Sequence, residues 1–405
     1  MEEYFSIQTR IAEAVDMTFI RSVYEKIQWN SRLIGILGAR GTGKSTLVMQ
    51  YFKNKFNDPE KCLYISADNP IVLGRGIYSI VSEFFKMYGN TVIVDEVHKQ
   101  KNWSLEIKAL YDSFPRKQII VLGSSAAAIL QEKGDLSRRM KLYHCPVLSF
   151  GEFLSIRHKT SIQNYSFEEI IQDHSKICRN VLKRIPDILM EFREYLQFGS
   201  FPFFIENSRD EYLSLLENVL DKVIYEDIQT VKSLKNFSAL KMKKLLGFLA
   251  LSPIPLFNTE TLKNKMEVSK DTLYDYFDLL ERTNILQIIR SAGKPETGLK
   301  NAKVFFQSPN YYYCIAENFW KNSADTGNIR ESFFVSQISQ FLPIKSSDSA
   351  DFTVYIKKKI YELEIGGRSK SKKQIEGLSN AYVFKDGIEV GAGNVIPLYL
   401  TGMLY

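Results

Sequence analysis

The chain has 405 residues, 45% of them hydrophobic and 24% charged, and a formal net charge of +7. That length is enough for about two to four domains with their own cores, and the balance is that of a soluble globular protein. No apolar stretch approaches the roughly 18–20 residues that cross a bilayer, and the start at Met1-Glu-Glu-Tyr-Phe5 lacks a basic-then-apolar leader, so a cytoplasmic location and no membrane partner are expected.

Residues 1–150 alternate apolar runs with amphipathic segments, which predicts a parallel α/β sheet. The strands are expected at Leu33–Leu37, Cys62–Ser66, Thr91–Val94, Gln118–Gly123 and Met140–Cys145. Between the first strand and a helix predicted over Thr46–Phe52 lies Gly38-Ala39-Arg40-Gly41-Thr42-Gly43-Lys44-Ser45. It is a complete Gly-x-x-x-x-Gly-Lys-[Ser/Thr] loop. Its glycines let backbone N–H groups turn inward around a β-phosphate, and the helix N-terminus at Thr46 adds positive partial charge. Lys44 is placed to reach the β- and γ-phosphates, and Ser45 Oγ to ligate Mg²⁺. The loop predicts a nucleotide-binding protein.

Thr91-Val-Ile-Val-Asp95-Glu96 reads as a buried strand ending in two acids. Asp95 is placed to hold Mg²⁺ through water, and Glu96 to orient and polarise an attacking water. A P-loop kinase generally lacks the second acid, so the pair points to hydrolysis of ATP rather than phosphoryl transfer. The next strand ends in Ser124-Ser125. A hydroxyl there, assigned to Ser125, would lie between the acids and the γ-phosphate. Arg138 and Arg139, just ahead of the fifth strand, supply a candidate arginine finger, acting in cis or on a neighbouring subunit.

Residues 151–235 read as helical, with Phe192, Tyr195, Leu196 and Phe198 at spacings of three and four. Helical patterns at Lys243–Leu251, Thr259–Met266 and Ser269–Thr283, then a strand at Ile285–Arg290, have the order of a winged helix, which can place its third helix in a DNA groove. Lys263, Lys265, Lys270 and Arg290 would touch phosphates. The third helix also carries Asp271, Asp275, Asp278 and Glu281, which weakens groove reading and leaves a spacer or protein-docking role open.

The last stretch opens with a helix, continues with strands at Asp351–Ile356 and Ile360–Ile365 and a lysine-rich helix, and closes with Asn394–Tyr405. Glu331, Asp351 and Glu364 follow the order of a restriction-endonuclease-like Mg²⁺ site. The lysine that such a site carries two residues after its second acid is replaced by Gly366. Arg368, Lys370 or Gln374 are the substitutes, although arginine cannot act as a base at neutral pH. A nuclease-like domain that no longer cuts is the favoured reading. Cys62, Cys145, Cys178 and Cys314 are scattered without a C-x-x-C pair and the four histidines are dispersed. Both facts argue against a zinc ribbon, a disulfide framework or a His-based metal site.

The stretches Gly35–Ser45, Asp95-Glu-Val-His-Lys99 with Trp103, Gly123–Ser125, Asp135–Arg139 and Leu148–Leu154 together resemble AAA+-type P-loop ATPases of bacteria and archaea. The ending, Glu364–Arg368 through Ile396–Tyr405, is similar to a Bacteroides-type branch of that family, in which a C-terminal half of largely unknown function follows the ATPase. The resemblance implies a sheet of order 5-1-4-3-2, with the strand ending in Ser124-Ser125 between the strands bearing the loop and the acids. The expected division is an ATPase domain at 1–155, a helical segment at 156–239, a winged-helix-like domain at 240–310 and a degenerate nuclease-like domain at 311–405. The expected activity is Mg²⁺-dependent ATP hydrolysis that reorients the C-terminal half, with DNA and a second copy of the chain as possible partners. An ATP-controlled DNA nuclease and a low-turnover signalling or scaffold switch are the alternatives.

Overall fold

The computed structural model describes residues 1–87, 89–124, 136–231, 236–252, 259–291, 299, 302–370 and 376–405. The chain divides into two compact units, Met1–Pro146 with Glu226–Ser233, and Val147–Tyr225 with Leu234–Tyr405. The first boundary falls short of the expected 155, and a later stretch of chain returns to the first unit.

In the first unit, β1 (Leu33–Leu37), β2 (Cys62–Ser66), β3 (Thr91–Asp95), β4 (Gln118–Gly123) and β5 (Lys141–His144) form one sheet of order β2-β3-β4-β1-β5. Every pairing is parallel, with Gly35 opposite both Val121 and Leu142. This is the expected order read from the other edge. β1 and β3 are buried throughout, as near-continuous apolar runs in a parallel sheet covered on both faces must be.

Alternate residues serve two cores. Leu33, Leu63, Val92, Val94 and Val121 point into one with α3 (Ile77–Met87) and α4 (Trp103–Ser113), sharing it with Phe84, Trp103 and Ile107. Ile34, Ile36, Ile93, Ile120 and Leu122 point into the other with Leu47, Val48 and Tyr51 of α2 (Lys44–Lys55). The opening helix α1 (Glu2–Ala14) was not expected. Its Gln8 accepts a hydrogen bond from the Tyr64 backbone N–H at 2.6 Å and so covers the edge strand β2. Because all five strands run one way, the loop after β1, the acids closing β3 and Ser124 after β4 share the carboxyl edge, where open α/β sheets bind ligands.

The second unit begins with helices, among them α5 (Phe150–Arg157) and α6 (Ile188–Phe198). Phe150, Phe192, Tyr195 and Phe333 pack edge-on or tilted in its core at centroid separations of 4.8–5.7 Å. Then come α7 (Asn236–Leu251), α8 (Thr259–Met266) and α9 (Lys270–Arg282). Ser269 caps α9 by accepting the Thr272 N–H at 3.1 Å, and Leu273, Tyr276, Phe277 and Leu280 on one face of the helix are buried. β6 (Leu286–Ile289) pairs antiparallel with β7 (Lys303–Phe306).

After α10 (Thr326–Ile338), a mixed sheet runs β12-β11-β10-β9-β8. Its strands are β8 (Ile344–Ser346), β9 (Phe352–Ile356), β10 (Lys359–Gly366), β11 (Ala381–Lys385) and β12 (Val395–Pro397). The two expected strands pair antiparallel as β9–β10; β10, β11 and β12 pair in parallel. The lysine-rich helix falls largely on residues 371–375, outside the described residues. Among the described residues no helix is long and apolar enough to cross a membrane.

Candidate active site

The loop from Gly38 to Ser45 wraps the start of α2. Gly41 and Gly43 both have φ of +84°, where a side chain is strained. A Cβ on Gly38 would lie 2.2 Å from the Cys145 carbonyl oxygen, so that position admits no side chain without moving the backbone. Thr42 Oγ1 donates to the Ala39 carbonyl at 2.9 Å. Arg21, buried and absent from any motif, supports the loop from outside. It donates to the Thr42 carbonyl at 2.8 Å and to the Pro146 carbonyl at 2.9 Å.

Lys44 is 5% exposed, and its ammonium donates to the Gly38 and Ala39 carbonyls, both at 2.9 Å. Burial pulls it below the usual lysine range, against the opposing pull of Glu96, Cys145 and Asp95. Ser45 Oγ donates to Asp95 Oδ2 at 2.6 Å, and Tyr64 OH donates to the same oxygen at 2.7 Å. Asp95 Oδ1 accepts the Glu96 backbone N–H at 2.8 Å. Burial and the Asp95 charge push the Tyr64 phenol well above its usual range, so it stays a donor.

Glu96 has φ of +45°, a left-handed conformation uncommon outside glycine. That kink turns its carboxylate away from Asp95 and toward Ser124, whose Oγ donates to Glu96 Oε2 at 3.1 Å. The Ser124 hydroxyl also lies 3.4 Å from Asp227 Oδ2, so its single proton serves one carboxylate or the other. Asp227 Oδ1 lies 3.2 Å from Arg40 Nη2, 3.4 Å from Lys99 Nζ and 3.9 Å from His98 Nε2. Ser125 and Asp135 lie outside the described residues. Arg138 is exposed, and Arg139 pairs with Asp112 of α4 at 3.4 Å. A finger role for Arg139 therefore requires release from that pair.

In the second unit Glu331, Asp351 and Glu364 do converge, but on lysines. Lys303 Nζ lies 3.1 Å from Glu331 Oε2 and 3.0 Å from Asp351 Oδ1, and Lys370 pairs with Glu364. Asp351 Oδ2 also accepts the Ile365 N–H at 2.9 Å. A Cβ on Gly366 would lie 2.5 Å from Lys370 Cβ and Cγ, so Lys370 fills the space over Gly366 and delivers an ammonium to Glu364. Three carboxylates against two ammonium groups leave net negative charge in a buried space. Burial first, then Asp351 and Glu364, push Glu331 up to about 7 despite Lys303. Lys303 moves up as well, because the two carboxylates outweigh its own burial.

Among the described residues no three His, Cys, Asp or Glu side chains are gathered as a metal ion would need. At the expected metal set of Glu331, Asp351 and Glu364, each carboxylate is paired with a lysine ammonium. The expected phosphate contacts are also engaged, Arg290 with Glu281 at 2.8 Å and Lys263 with Glu260 at 2.7 Å.

Residues 30–154 match the AAA domain family, and residues 189–313 match a domain of unknown function. An uncharacterized protein of Methanocaldococcus jannaschii is 31% identical over 286 residues, covering 67% of this chain. The match covers 59% of that relative, so the chain spans less than two thirds of its length. Among solved structures, AMPPCP-bound DnaA from Aquifex aeolicus aligns over 69% of this chain and 88% of its own, at 15% identity and TM-score 0.28. An S. cerevisiae Hsp104:casein complex aligns over 65% of this chain and 50% of its own, at 13% identity and TM-score 0.27. Likeness that distant carries no functional argument. Loop, sheet order and family match agree: residues 30–154 form an AAA-type P-loop ATPase domain.

Proposed function

We propose that the first unit binds ATP with Mg²⁺ and hydrolyses it, and that turnover is coupled to a change in the second unit. One observation carries the reading. Ser45 Oγ and Asp95 Oδ2 lie 2.6 Å apart at the end of a glycine loop whose first position has no room for a side chain. A hydroxyl and a carboxylate at a helix N-terminus are the hard oxygen donors that Mg²⁺ prefers, which is the fit the site offers. Bound there, the ion would neutralise charge on the phosphate oxygens.

The chain's own residues do the rest. Backbone N–H groups of Gly38 to Thr46 (Ala39, Arg40, Gly41, Thr42 and Gly43 between them) cradle the phosphates. Lys44 exchanges its two carbonyl acceptors for phosphate oxygens, a favourable exchange for a buried cation. Glu96 takes the proton of the attacking water, oriented by the Ser124 hydroxyl and, in the expected assignment, by Ser125. Arg138 or Arg139 stabilises the departing charge. The paired lysines at Glu331, Asp351 and Glu364 favour a C-terminal domain that does not cut.

The test is phosphate release from ATP with the full chain, with and without chelator and with and without duplex DNA. Release that stops on chelation supports the reading; release indifferent to chelation contradicts it. Stimulation by DNA, lost at higher salt, would assign a nucleic-acid client to the second unit, and its absence a protein client.

A further inference from the structure

Asp227 comes from far along the chain, yet it belongs to the first unit, while Tyr225 and Leu234 on its two sides belong to the second. It is 1% exposed, and its carboxylate binds a residue of the phosphate loop, Arg40, and a residue following the catalytic acids, Lys99. It also shares the Ser124 hydroxyl with Glu96. Burial alone would raise its pKa, but the neighbouring His98, Arg40 and Lys99 hold it down to about 2. The site thus keeps a permanent anion beside the residue that acts at the γ-phosphate. Arg40 Nε is buried without a hydrogen-bond partner, so this guanidinium has a donor left for a further acceptor. Asp227 also closes a π-helical stretch, Val223–Asp227, a distortion frequent at functional sites.

We propose that Asp227 is a positioning residue that competes with the γ-phosphate for Arg40 and Lys99. Without a triphosphate it holds the two cations and Ser124. When ATP binds, the γ-phosphate takes the cations, like-charge repulsion drives Asp227 out, and the segment around it, from Glu226 to Val231, is released. ADP has no γ-phosphate and leaves Asp227 in place. The segment therefore reports nucleotide state along the backbone to residues on either side of it. This inference rests on the ATP-site reading above.

The experiment is calorimetric titration of the full chain with Mg²⁺ and either ADP or a non-hydrolysable ATP analogue, for wild type, Asp227→Asn and Asp227→Glu. Hydrogen exchange over residues 223–231 is followed in parallel. Asp227→Asn should bind the ATP analogue about tenfold more tightly or better, the scale expected for removing one nearby like charge, with ADP affinity unchanged. Asp227→Glu should restore the wild-type ratio. In wild type the ATP analogue, and not ADP, should speed exchange in the segment. Equal shifts for the two nucleotides, or exchange indifferent to the analogue, overturn the inference even if Asp227→Asn is unstable, because the exchange measurement uses wild type. Wild type that binds neither nucleotide overturns the ATP-site reading and this inference together; binding of both with an unmoved ratio overturns this inference alone.

Discussion

Glu96→Gln is expected to lower ATP turnover by about 10²–10⁴-fold, the contribution of a positioned general base, while leaving ATP binding in place. Glutamine keeps the size of the side chain and an acceptor for Ser124 Oγ, now 3.1 Å from Glu96 Oε2, but cannot take a proton from water. The loop, Lys44 and the Ser45–Asp95 pair are untouched. Phosphate release at saturating ATP checks the first half and calorimetry the second. Turnover equal to wild type would remove Glu96 from the chemistry and favour a switch that binds ATP and turns over little.

The second large effect is on stability and concerns Glu331. Its ordinary value of 4.5 is raised to about 7 in the folded chain, by burial and by Asp351, with Glu364 adding and Lys303 opposing. Between those two values the folded state holds a proton that the unfolded state has released, so stability must fall as pH rises across that window. Below 4.5 the stabilisation is fully present, and above 7 it is gone. At about 1.4 kcal/mol per unit the change is roughly 3 kcal/mol, a large share of a typical stability of about 5–15 kcal/mol. Glu331→Gln cannot release a proton. Its stability relative to wild type should therefore improve by about that amount from pH 4 to pH 8, read by denaturant titration at several pH values. Identical pH slopes for the two chains would show that Glu331 does not titrate in this window.

The ATPase half was legible where chemistry forces residues to be neighbours in sequence. A phosphate loop must be contiguous, because successive amides and one helix N-terminus do the binding. Adjacent acids at a strand end need no partner to be noticed. The strands were placed within a residue or two because parallel strands buried on both faces are unbroken apolar runs; Leu33–Leu37 and Cys62–Ser66 were matched at both ends. Sheet order came from the resemblance, since periodicity says nothing about which parallel strands are neighbours.

What stayed hidden is long-range pairing. Arg21, Tyr64 and Asp227 reach the site from other elements, and Asp227 bonds Arg40 across 187 residues. No local pattern marks such a residue; a buried aspartate in a helical run is the only hint. The C-terminal acids were read in the right neighbourhood from their order. Lys370 was among the residues named beside Glu364, but Lys303 was missed, because it arrives from β7, ahead of all three.

Titration calorimetry of wild type and Lys44→Ala with ATP and Mg²⁺ probes the phosphate site most directly. Lys44 is buried with its ammonium on two carbonyls, so alanine removes the ammonium that the loop itself holds. Wild type should release heat with a saturable, one-site profile, and Lys44→Ala should release none over the same range while keeping its fold by circular dichroism. Two flat traces, or two that superimpose, would contradict the account.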